Sequence, residues 1–430
     1  MLKTTVNNSA LDKRYRRNFL LFIIDWAAYG TAMNFVSVTT VLPAFVSSLT
    51  DSKIAVGLIS TISVLGWNFF QLVSAIIIEG NKYKKPFIMR VTPGERIPWL
   101  VISISSLMFA TENPPLALLI FYASYAIVSI SSGLCTTAWL DIIAKSIPEN
   151  KRGVFFSTAN MIGAILGVIS GSVVAFYMSS FKHPLNYFMC FLTAFVFISI
   201  SWIDINFIEE PPSTTSRPPN SFKKYVRKLP RILKSDKNYL FYTVSGIVGA
   251  FGGIASSFYT VYAIDRFKAG DFEVGLFTFI FVGTQIVTSI LWRLVQEKRG
   301  HKTVLVLGGI AGALAITVSI IANSLNYFLI VFALAGASLS SFMVSNFPLL
   351  MEMSPEDERP TYIGLSSALK SPFLAIAPLI GGFMIEKYGY FTTFITSLFF
   401  AVVSTMVLAK VRTRPTRIEI PSRERLIKHF

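Results

Sequence analysis

Two ionisable residues interrupt long apolar runs and mark where chemistry can occur. Asp25 breaks the run Leu21-Phe-Ile-Ile-Asp25-Trp26, and Lys370 breaks Ser367-Ala-Leu-Lys370-Ser371-Pro372. A charge at the centre of a bilayer costs about 2.5–3.5 kcal/mol on insertion scales, so each must face protein or a watery cavity. Asp25 can carry a coupling proton or pair with a cationic solute, and its bland alternative is a structural hydrogen bond. Lys370 can hold an anionic group, and its bland alternative is an ion pair or a packed position. Polar residues in neighbouring runs, Tyr259 and Asn346 among them, suit an amphipathic organic solute or, equally, helix–helix hydrogen bonding.

The elements that position these residues follow from composition. Of 430 residues, 53% are hydrophobic and 14% are charged. A soluble domain carries about 25% charged residues, and a spanning helix needs about 20 apolar ones. A soluble single-core enzyme and a disordered chain are both excluded. Apolar runs bounded by polar breaks predict twelve spans: 18–48, 54–78, 97–112, 115–143, 153–179, 186–207, 238–264, 273–295, 303–324, 326–351, 361–385 and 390–410. The fold class is an all-α polytopic membrane protein.

Net charge is +16. With the N-terminus inside, the inner segments (79–96 among them) carry 33 of the 39 Lys and Arg, and the outer loops carry five. That asymmetry orients the chain with both termini cytoplasmic, facing an anionic inner leaflet, and it accounts for the basic balance without nucleic acid. The expected organisation is an N-tail at 1–17, six spans in 18–207, a central loop at 208–237, six spans in 238–411 and a basic tail at 412–430. Short outer loops point to a cell (inner) membrane.

The halves repeat. Asp51-Ser-Lys-Ile-Ala-Val-Gly57-Leu58 parallels Gly270-Asp-Phe-Glu-Val-Gly275-Leu276, and Pro148-Glu149-Asn-Lys-Arg152 parallels Pro355-Glu356-Asp-Glu-Arg359. Two homologous bundles of six helices explain both matches. The glycines Gly163, Gly167 and Gly171 recur four apart on one helix face, which permits close backbone approach. The segment Ala377-Pro378-Leu-Ile-Gly381-Gly382 is a second small-residue patch, and Gly246, Gly249, Gly252 and Gly253 predict a span able to bend.

With twelve spans, a basic central loop and related halves, the chain resembles the major facilitator superfamily. The loop signature between second and third spans is similar to Glu79-Gly80-Asn81-Lys82-Tyr83-Lys84-Lys85 and to Glu297-Lys298-Arg299-Gly300-His301-Lys302, each with Glu in the acid position. The resemblance implies alternating access. It implies a cytoplasmic gate built from Glu79, Lys84, Arg152, Glu297, Lys298, Gly300, Lys302 and Arg359. It also implies that the second span approaches the eleventh, bringing Trp67, Asn68 and Gln71 towards Lys370 for a cation–π or amide contact. The antiporter motif of the fifth span is incomplete, because no proline follows Gly167.

The three histidines, His183, His301 and His429, fall in loops or the tail, so no intramembrane metal site is expected. No phosphate-binding loop is present and no cofactor is expected. The expected function is ion-coupled efflux of a small amphipathic compound by a monomeric secondary transporter, with a proton or cation as coupling ion. Uptake of a small metabolite or sugar, and a non-transporting receptor on the same fold, are the alternatives.

Overall fold

The computed structural model describes residues 2–78, 81–212, 236–354 and 359–412. Glu79, most of the central loop and most of the basic tail lie outside them. The first group of helices comprises α1 (Leu2–Phe35), α2 (Val41–Leu49), α3 (Lys53–Ile78), α4 (Lys85–Val91), α5 (Pro93–Phe109), α6 (Pro114–Ser146), α7 (Glu149–Ser180) and α8 (Leu185–Phe207). The second comprises α9 (Lys237–Gly252), α10 (Tyr259–Phe267), α11 (Asp271–Ile321), α12 (Tyr327–Met353) and α13 (Arg359–Ala409). Seven helices among the described residues are long and apolar enough to cross a membrane. The chain is an all-α, multi-pass integral membrane protein.

Two glycines shape the longest helices. Gly300 (φ +78°) and Gly389 (φ +80°) each interrupt α11 and α13 with one left-handed residue, giving rods at 271–299, 301–321, 359–388 and 390–409. Such a turn needs no loop, because glycine carries no Cβ to clash.

The expected first span, 18–48, is two helices. The chain leaves the helix at Val36–Thr40 and resumes at Val41, with Pro43 in the first turn of α2 where a missing N–H leaves nothing unpaired. The expected seventh span is broken likewise: α9 ends at Gly252, a short turn follows at Ala255–Ser257, and α10 completes the crossing. The two breaks face each other. Thr260 Oγ1, at the start of α10, donates to Thr39 O at 2.7 Å, and α11 adds Thr278 Oγ1, which donates to Thr40 Oγ1 at 2.7 Å.

Helices pack mainly within their own group, and the longest junctions between groups are α3 with α13 and α7 with α11. The cores are distributed unevenly. One apolar core draws on both groups, including Phe35, Phe45, Val56, Val174, Phe258, Tyr259, Phe277 and Ala377. At the opposite end a second core holds first-group residues alone (Phe22, Ile78, Ile142, Phe155), and a third holds second-group residues alone (Tyr239, Leu305, Leu349, Tyr362). The groups are therefore fused at one end and separately packed at the other.

Candidate functional site

Lys370 lies on α13, and its side chain crosses to α9. The ammonium sits 3.6 Å from the ring centroid of Tyr242. It reaches there because Gly246 leaves room: a Cβ at that position would overlap the Lys370 side chain. The Tyr242 hydroxyl donates to Asn346 Oδ1 at 2.7 Å. These three side chains and Tyr259 line a cavity of about 480 Å³, whose walls are otherwise largely small residues, including Gly249, Gly308, Gly312 and Ser338. Tyr259 is buried, edge-on to Phe332 and Phe394.

The expected partner of Lys370 is corrected here. The ring beneath the ammonium is Tyr242 and not Trp67, which is 37% exposed. Asn68 Nδ2 donates to Val64 O in its own helix, and the backbone O of Gln71 accepts from Thr137 Oγ1 of α6, which ties this part of α3 to its own group. The reason is divergence. α3 and α13 touch where Gly57 meets the Pro378 carbonyl and Thr61 Oγ1 donates to Ala375 O at 2.7 Å, which is towards the fused end. Trp67 and Lys370 lie further along, where the groups have separate cores.

Asp25 is buried and accepts two hydrogen bonds, from Trp139 Nε1 at 2.6 Å and from Ser201 Oγ. The same serine hydroxyl accepts from Arg96 Nη2 at 3.3 Å, and Arg96 forms an ion pair with its neighbour Glu95. Glu95 Oε1 accepts from Ser132 Oγ at 2.6 Å. One polar chain thus joins α1, α5, α6 and α8. The sequence places Arg96 in an inner loop. Instead Glu95 and Arg96 are 3% and 2% exposed, in the first turn of α5. Gly94 makes this possible, since its missing side chain lets α5 press against Ser131 of α6. Asp204 stands near Asp25, buried, with one carboxylate oxygen lacking a hydrogen bond. Trp26 stacks on Trp139 at 5.6 Å, and both rings are half-buried.

At the fused end, contacts between groups are polar at the rim and backbone-tight within. Glu386 accepts from Ser52 Oγ, Lys53 N and Ile54 N at 2.9, 2.7 and 3.1 Å. Lys53 pairs with Asp265 at 2.8 Å, and Tyr390 donates to the same carboxylate at 2.6 Å. The repeated glycines have matching roles. A Cβ on Gly57 would strike Pro378, and one on Gly275 would lie 2.5 Å from Ala175 Cα. The small-residue patches pack here too: Gly171 against Phe279, Gly381 against Ile254 and Phe258, Gly382 against the Lys53–Ile54 backbone. Gly167 meets Val282 and Ile286 side chains, and Gly163 only approaches Trp26.

At the separate end, the expected gate residue Glu297 finds a local partner. Glu297 pairs with Arg293 one turn away at 3.1 Å, Lys298 is exposed and Lys302 is half-buried. Arg152 and Arg359 begin α7 and α13, and their side chains lie outside the described set. Glu210 was not among the expected gate residues. Its carboxylate accepts from Lys84 N at 2.7 Å, Lys85 N at 2.8 Å and Lys145 Nζ at 3.2 Å. Glu209 pairs with Arg17 at 2.6 Å and bonds Asn18 through its backbone. Burial and the nearby Lys145 hold the Lys84 ammonium below the usual lysine range, partly offset by Asp141 and Glu210.

Comparison with known proteins adds the lineage. The sequence model of the Major Facilitator Superfamily matches residues 241–430. An uncharacterised MFS-type transporter of Methanocaldococcus jannaschii is 22% identical over 420 residues, covering 93% of this chain and 96% of that protein. A point mutant of the nucleoside transporter NupG superposes with a TM-score of 0.71 at 14% identity, over 93% of this chain and 99% of that one. The xylose transporter XylE from E. coli, in an inward open conformation, gives a TM-score of 0.68 at 15% identity over 92% and 98%. The sequence match lies in the second group of helices, and the shared fold spans both groups. In sequence over residues 241–430, and in fold over nearly its whole length, the chain resembles the major facilitator superfamily.

Proposed function

We propose that the chain is a twelve-span exporter of a small amphipathic organic compound, driven by protons, with six spans in 18–207 and six in 238–411. The observation that carries this reading is the unequal core: fused at one end, split at the other. Two rigid bundles meeting at one end leave a cleft open at the opposite end, as alternating access requires. The Lys and Arg asymmetry assigns the split end to the cytoplasm, so this conformation is open inward.

Asp25 is the coupling residue. It is a buried carboxylate linked through Trp139 to a half-buried aromatic pair on the same group of helices. Protonation there would release Trp139 and Ser201 from a charged acceptor, tying the aromatic surface to the proton. The aromatic and small-residue surfaces suit an apolar solute better than a sugar, which needs many hydrogen bonds.

The test is flux in proteoliposomes under an imposed pH gradient, with wild type beside Asp25→Asn. Gradient-driven export by wild type, with pH dependence lost in the variant, is expected. An Asp25→Asn protein that keeps the wild-type pH profile sinks the coupling role. Accumulation against the opposite gradient makes the protein an importer.

A further inference from the structure

We propose that the cavity beside Lys370 receives a singly charged carboxylate on an apolar organic body, which makes the transported compound an organic anion. This deepens the transport reading and rests on it. The ammonium of Lys370 pairs with no carboxylate among the described residues; its partner is the Tyr242 ring. A cation–π contact contributes about 0.5–2 kcal/mol. Desolvating an ion costs several kcal/mol. The difference is an unmet demand for negative charge.

The intramembrane acids cannot meet it. Asp25, Glu95 and Asp204 cluster in the other group of helices around Arg96, Ser201 and Trp139. The cavity supplies further donor capacity. Tyr242 donates to Asn346 Oδ1, which leaves the Asn346 amide N–H groups free to donate. At about 480 Å³ the space accepts a small organic molecule. One lysine balances one negative charge, which favours a carboxylate over a phosphate dianion. The lining also holds Leu305, Ile316, Phe342 and Leu374, against which an apolar body can pack.

The experiment uses the full chain in nanodiscs of zwitterionic phosphatidylcholine. Thermal protection is measured with benzoate, octanoate and indole acetate, with their neutral amides, and separately with phosphatidylglycerol added to the disc. Wild type and Lys370→Arg should be protected by carboxylates and not by amides. Lys370→Gln should bind the same carboxylates at least about tenfold more weakly, the loss of one charge-assisted contact. Lys370→Arg keeps the charge and guards against a folding artefact. The inference is overturned by carboxylate protection that survives in Lys370→Gln, by equal protection from amides, by no protection of wild type, or by protection from phosphatidylglycerol alone. Binding needs no gradient, so its failure is separate from failure of proton-driven flux.

Discussion

Lys370 and Gly246 share one space: the lysine side chain occupies the volume that a Cβ at position 246 would fill. The neighbour is a flexible chain and not backbone, so Gly246→Ala is expected to fold. It should lift the ammonium off the Tyr242 ring. Carboxylate binding should change by about two- to thirtyfold, the range of a cation–π contact, with little change in melting temperature. Isothermal titration beside a thermal melt reads both.

The Glu95–Arg96 pair is a structural commitment of the first group of helices. Removing one partner leaves an uncompensated buried charge, which costs about 3–5 kcal/mol. Arg96→Met should therefore melt far below wild type. Glu95→Gln with Arg96→Met should recover most of the loss. A double variant as unstable as the single would show that Arg96 acts through its bonds to Ile198 O and Ser201 Oγ instead.

Ser60 and Ser257 hydroxyls stand 3.2 Å apart across the fused end. Replacing both by cysteine places two thiols within disulfide reach. Oxidation should lock this end shut, stop transport and leave ligand access from the split end. Reductant should restore flux. Cys135 and Cys190 are buried and should not compete. Unchanged flux after verified cross-linking would mean that this end does not open during turnover.

Glu210 gathers three donors from two segments at the split end. Hydrogen bonds to a charged acceptor contribute about 1.5–3 kcal/mol. Glu210→Ala should destabilise the protein by about that much and raise hydrogen exchange at the Lys84 and Lys85 amides. Protected amides in the variant would assign the clamp to Glu209 and Arg17.

Much of the fold was legible because lipid imposes length and polarity so strictly. Asp25 and Lys370 stood out as charges in apolar runs, and the repeated Gly57 and Gly275 marked equivalent backbone contacts. Glu95 and Arg96 did not stand out. They fell in the inner segment 79–96, just before the expected span at 97–112, and an adjacent acid and base cancel in any count of charge. Tyr242 was missed because its meeting with Lys370 depends on rotation between α9 and α13, which no periodicity encodes. Glu210 was hidden in a segment that looked like linker.

The core shared between the two groups has a thermal consequence. To face the other side, the molecule must part Gly57 from Pro378, Gly171 from Phe279, Gly275 from Ala175 and Met178, and Gly167 from Val282 and Ile286, and wet some of that surface. Hydrating apolar surface raises heat capacity and becomes less unfavourable on cooling. The balance between the two faces is then a curved function of temperature, with the outward face gaining population in the cold. An Arrhenius plot of turnover should bend for that reason alone, even with the lipid held fluid throughout.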